Sequence, residues 1–178
     1  MSLNEISKHI TIMAQTKLGE NTVTTIGELP AVGSKAPDFS LTGIDLQEAT
    51  LKNFAGKKIV FNIFPSIDTG VCATSVREFN KRASSLENTA VLCISKDLPF
   101  AFKRFCGAEG IDKVVSLSDF KNKGFSKNYG IEMVDGALTG LLARAIVVVD
   151  ENGKIIHTEL VPAIGQEPNY DAAIQALN

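Results

Sequence analysis

The stretch Lys58–Phe64 reads KIVFNIF, apolar at nearly every position and rich in β-branched and aromatic side chains. A strand with one wet face alternates polar and apolar residues. A strand without that alternation is covered on both faces and belongs near the centre of an α/β sheet. Pro65 ends it, because proline has no N–H to give to a ladder. Beyond it, Cys72, Val76, Phe79, Ala83 and Leu86 recur at spacings of four and three, which is one apolar stripe of a helix. Asp68 or Thr69 can cap that helix with a side-chain oxygen.

The other elements follow from this unit. Ala90–Ser95 is a second buried strand. Asp97 is placed to cap a helix that carries Pro99 in its first turn, runs to about Cys106 and closes at Gly107. Lys113–Leu117 reads as a short strand and Asn122–Tyr129 as a helix closed by Gly130. Ala145–Asp150 and Lys154–Val161 form a hairpin around Asn152-Gly153. Tyr170–Leu177 is a terminal helix. Near the N-terminus, Lys17–Ile26 alternates around a Gly-Glu-Asn turn and reads as another hairpin, while Phe39–Leu41 and Gln47–Leu51 are weaker strand candidates. Crossover helices require parallel strands, and the late hairpin adds antiparallel ones. The expected fold is α/β, with a central mixed β-sheet flanked by helices and an N-terminal β-hairpin. Residues 1–15 read as an N-terminal extension, a candidate flexible segment, and 16–178 as one domain. Met13 is an alternative start, which would make 1–12 an upstream addition.

The bulk properties narrow the function. Of 178 residues, 44% are hydrophobic and 21% charged, the balance of an ordinary globule with a core of its own. The net charge is −2 and no basic block stands out, which argues against nucleic acid as a partner. The best apolar run, Leu141–Val149, is too short to span a bilayer and is broken by Arg144. No secretory h-region precedes the domain, so a cytoplasmic location is expected. Three cysteines make no disulfide framework. No metal is expected, since Cys-x-x-Cys and His-x-x-x-His spacings are missing and the histidines are His9 and His157, both expected on the surface. No cofactor is expected either.

The chemistry gathers in Phe64-Pro65-Ser66-Ile67-Asp68-Thr69-Gly70-Val71-Cys72. A cysteine in the first helical turn faces unpaired N–H groups and the positive end of the helix dipole, which favour a thiolate over a thiol. A thiolate acting as a nucleophile also needs donors for the charge that develops on the departing atom. The Thr69 hydroxyl, the N–H groups of Gly70–Cys72 and the odd cation Arg144 are the candidates, with Pro65 shaping and shielding the pocket. The bland alternatives are definite. Cys72 lies on an apolar stripe and could be a core cysteine, Arg144 could be half of a structural ion pair, and Thr69 could be only a cap. Cys93, inside AVLCIS, reads as a small core residue, and Cys106 beside phenylalanines is undecided from spacing alone.

Pro65-x-x-x-Thr69-x-x-Cys72 resembles the peroxiredoxin signature Pro-x-x-x-Thr/Ser-x-x-Cys. The strings NIFPSIDTGVCATSVREFN (62–80), VLCISKDLPFA (91–101) and RFCGAEG (104–110) look like the bacterial thiol peroxidase branch of that family. The likeness runs from about Gly19 to the C-terminus. It implies a thioredoxin-like fold, with Cys72 as peroxidatic cysteine, Thr69 and Arg144 holding thiolate and peroxide, and Pro65 covering the site. It also implies that Cys106 resolves the Cys72 sulfenic acid as an intramolecular disulfide, that thioredoxin reduces it, that the substrates are hydroperoxides, alkyl ones favoured, and that the protein is a homodimer. Two other readings compete: a redox regulator on the same fold, and a cysteine hydrolase, which would need His157 near Cys72.

Overall fold

The computed structural model describes residues 12–178. The hairpin β1 (Gln15–Leu18) and β2 (Asn21–Thr24) comes first. It turns at Gly19, whose φ of 61° lies in the left-handed region that glycine enters without a Cβ penalty. Then follow β3 (Ser40–Gly43), β4 (Glu48–Thr50), a 3₁₀ turn (Leu51–Phe54), β5 (Lys58–Ile63), α1 (Gly70–Ala83), β6 (Thr89–Ser95) and α2 (Pro99–Glu109). The chain ends with β7 (Val115–Ser118), α3 (Phe125–Asn128), β8 (Ala145–Val149), β9 (Ile155–Leu160) and α4 (Tyr170–Gln175).

Seven strands make one sheet in the order β4-β3-β7-β6-β5-β8-β9. β5, β6 and β7 run parallel, as helical crossovers demand, and the remaining pairs are antiparallel. The expected mixed sheet with an N-terminal hairpin is therefore present. β5 is central and buried on both faces. Ile59, Phe61 and Ile63 enter one core with Phe39, Phe125 and Tyr129, where Phe61 meets Phe39 edge-on at 5.8 Å between ring centroids. Val60 enters the opposite core with Phe79 of α1, Ile146 and Val148 of β8 and Ala173 of α4. Asn62 points the same way as Val60 and is completely buried; its amide donates to Ser75 Oγ at 3.2 Å and Cys93 Sγ at 3.6 Å, which offsets part of the cost of burying it. Among the described residues no helix is long and apolar enough to cross a membrane.

Several local expectations are corrected. Pro99 does open α2, but Leu98 occupies the cap position, because the Asp97 carboxylate is bonded elsewhere. The helix also runs past Gly107 to Glu109 and stops at Gly110, which takes the left-handed conformation (φ 65°). The helix expected over 122–129 is one turn, Phe125–Asn128, entered from Gly124 at φ 98°. His157 is not a surface residue: it is half-buried in β9 opposite Val148, and its Nε2 is buried with no partner. His9 lies outside the described residues.

Candidate active site

The loop from Phe64 to Thr69 leaves the C-terminal end of β5, and α1 starts directly after it. Thr69 is the cap residue, extended at φ −112° and ψ 148°. Its hydroxyl does not bond into the first turn; it donates to the Ser66 carbonyl at 3.0 Å. The first intrahelical bond runs from Ala73 N–H to the Thr69 carbonyl at 2.9 Å. The N–H groups of Gly70, Val71 and Cys72 therefore precede the helical ladder, at the positive end of the dipole.

Cys72 is 1% exposed and sits among Phe64, Ile67, Ala73, Val76 and Phe102. Arg144, the residue immediately before β8, reaches its sulfur: Nη2 lies 3.3 Å from Cys72 Sγ. This guanidinium is itself 2% exposed. Nε and Nη2 donate to the Ile164 carbonyl at 3.0 and 2.9 Å, which fixes the fork, while Nη1 is buried without a partner. A buried, delocalised cation against a sulfur stabilises an anionic sulfur, and an unpaired N–H beside it can serve a bound oxygen. The interaction is stronger here than in water because solvent is excluded. Pro65 is buried next to this cluster in the chain. Of the residues singled out in the sequence, Arg144 reaches Cys72, Pro65 is buried in the loop before α1, and Thr69 bonds Ser66 and not the sulfur.

Cys106 lies within α2, half-buried, and packs on the same apolar cluster as Cys72. Its sulfur is 3.4 Å from Ser116 Oγ of β7. All three cysteines are free thiols. Cys93, on β6, is completely buried, and burial pushes its thiol up to about 12, so it stays protonated. That fits the core role expected for it. Among the described residues the partner of the Cys72 sulfur is a guanidinium. Sequence reasoning missed Asp97, Ser66 and the Ile164 carbonyl as supports of the site. The one available signal was a charged residue two positions beyond a buried strand.

The sheet, its crossovers and a helix-start cysteine under a buried guanidinium place the chain in the class of thioredoxin-like thiol enzymes. The Redoxin family model matches residues 31–174. A thiol peroxidase of Corynebacterium glutamicum is 56% identical over 166 residues, covering 93% of this chain and 100% of that protein. The crystal structure of a peroxiredoxin-like protein from Aquifex aeolicus superposes with a TM-score of 0.86 at 40% identity, over 92% of this chain and 95% of that one. The thiol peroxidase from Chromobacterium violaceum, at 21% identity and a TM-score of 0.84 over 90% and 93% of the two chains, shares the fold. The chain belongs to the Redoxin family and, within it, to the thiol peroxidases. Its class of reaction is thiol-dependent peroxide reduction.

Proposed function

We propose that the chain reduces hydrogen peroxide and alkyl hydroperoxides through Cys72. The Cys72 thiolate attacks the terminal peroxide oxygen. An S–O bond forms, the O–O bond breaks, and the departing alkoxide or hydroxide takes a proton to leave as alcohol or water. Cys72 is left as a sulfenic acid. The Cys106 thiolate then attacks that sulfur, water leaves, and an intramolecular disulfide remains. Thioredoxin returns both residues to thiols by two exchanges. Arg144 stabilises the thiolate and then the developing oxyanion, helped by the first-turn N–H groups. Thr69 shapes the loop and Pro65 shields it. On this reading one or both helices open locally as the bond closes, since Cys72 is buried in α1 and Cys106 is held within α2. No metal or cofactor enters these steps. The working unit on this reading is residues 16–178 in the cytoplasm, and by the family resemblance it is a homodimer.

The observation that carries this reading is the Arg144–Cys72 contact at 3.3 Å inside an apolar cluster. The test is consumption of cumene hydroperoxide with thioredoxin and its reductase as electron source. Wild-type protein is expected to turn over, Cys72→Ser to be inactive, and Cys106→Ser to react once and then stall. A Cys72→Ser protein that still turns over would overturn the assignment.

A further inference from the structure

The segment that delivers Cys72 to its site has no regular structure between β5 and α1, and a side chain two residues beyond β6 holds it. Asp97 Oδ1 accepts from the Ser66 hydroxyl at 2.8 Å. Oδ2 accepts from the Ile67 N–H at 2.7 Å and from the Ser95 hydroxyl at 2.5 Å. Hydrogen bonds to an ionised carboxylate are the stronger kind. The connection continues without a gap toward the cysteine. Asp68 N–H donates to Ser66 Oγ at 3.2 Å, the Thr69 N–H and hydroxyl both donate to the Ser66 carbonyl, and Ala73 N–H donates to the Thr69 carbonyl at 2.9 Å. One carboxylate thus sits at the head of a chain of bonds that ends at the residue after Cys72.

The other side of Asp97 is equally fixed. Its backbone carbonyl accepts from the Ser118 hydroxyl of β7, and its N–H donates to Ser95 Oγ at 3.1 Å. It stands just ahead of α2, yet it does not cap that helix, so capping does not account for a charge at this place. We infer that Asp97 is a positioning residue: it holds the Ser66–Thr69 loop in the shape that presents Cys72 to peroxide, and it ties that loop to the start of the helix that bears Cys106. This rests on Cys72 as the attacking thiol and Cys106 as the resolving one.

The two chemical steps respond differently to such a residue. Attack on peroxide needs the loop in place, since small displacements of a reacting group are costly. Disulfide formation needs the loop and α2 to loosen. Losing Asp97 should therefore slow the first step and leave the second unchanged or faster. A residue that served stability alone would not separate them.

Rapid acid quench and mass spectrometry can follow both steps, which suits a chain without tryptophan. For Asp97→Ala, the second-order rate of Cys72 oxidation by hydrogen peroxide is expected to fall about tenfold or more. The peroxide-independent conversion of sulfenic acid to disulfide should not fall. Ser66→Ala should show a smaller loss, and the double variant should be no slower than Asp97→Ala, as for residues in one network. Asp97→Asn keeps the shape and one acceptor oxygen while removing the charge, so it serves as the variant that folds; it should slow oxidation alone, by less. Oxidation at the wild-type rate, or both steps slowed by the same factor, would overturn the inference. If wild-type protein itself formed no Cys72–Cys106 disulfide, the underlying reading would fail instead.

Discussion

Replacing Arg144 with glutamine removes a buried cation while leaving a polar side chain able to meet the Ile164 carbonyl. The guanidinium lies 3.3 Å from Cys72 Sγ and is 2% exposed. At that separation a pair of opposite charges attracts by about 5 kcal/mol with an effective dielectric of about 20, which is a ceiling because desolvation opposes it. Loss of a donor aimed at developing charge typically costs about 3–4 kcal/mol, a rate loss of about a hundred- to a thousandfold. The second-order rate of Cys72 oxidation, measured by competition with a reference peroxidase, should fall by that factor in Arg144→Gln. Arg144→Lys should fall between, since it keeps charge but not the fork that spans Ile164 and the sulfur. Far-ultraviolet circular dichroism should be unchanged. A rate reduced by less than about tenfold would refute electrostatic stabilisation as the role of this residue.

Cys93→Ala should retain peroxide turnover, since Cys93 has no step in the proposed cycle, while losing about 1–2 kcal/mol of stability in urea unfolding, because the thiol is completely buried beside Asn62. Gly130→Ala should cost about 3 kcal/mol or more by the same measurement: the added Cβ would meet the Glu28 carbonyl oxygen at 2.1 Å, at a φ of +67°. Asp119 is 1% exposed, and burial, opposed by Lys96, pushes its carboxyl up to about 6. A raised carboxyl binds its proton more tightly in the folded state, so its contribution is full below about pH 4 and is lost as pH rises through 6. Asp119→Asn should therefore gain on the order of 2 kcal/mol over wild type at neutral pH and almost nothing near pH 4, read from urea midpoints across that range.

The parts of the fold legible in the sequence are those set by local periodicity or by burial. KIVFNIF declares a central strand because every position after Lys58 is buried, and Asn152-Gly153 declares a hairpin because its backbone demands are local. Pro99 likewise marks the start of α2. The end of that helix was less legible, since Gly107 and Gly110 are both plausible terminators and only tertiary context puts the left-handed turn at Gly110. Asp97 was misplaced for a related reason. Its local pattern is that of a cap, but Ser66 and Ile67, some thirty residues earlier, claim its oxygens. Arg144 stood out as a cation in an apolar run, yet nothing in spacing says that it meets Cys72 rather than an acid; only the resemblance supplied that. Asn62 carried a signal, a polar residue in a strand buried on both faces, whose partners Ser75 and Cys93 come from other elements.

The most direct test of the central claim is to treat reduced protein with one equivalent of an alkyl hydroperoxide and map tryptic peptides without reduction. The three cysteines fall on separate peptides, Ile59–Arg77, Ala83–Lys96 and Phe105–Lys113. The account predicts a crosslink of the first to the third within one chain, with the Cys93 peptide unmodified. Cys72 recovered as a sulfenic or sulfinic acid with Cys106 still free, or left untouched by peroxide, would contradict it.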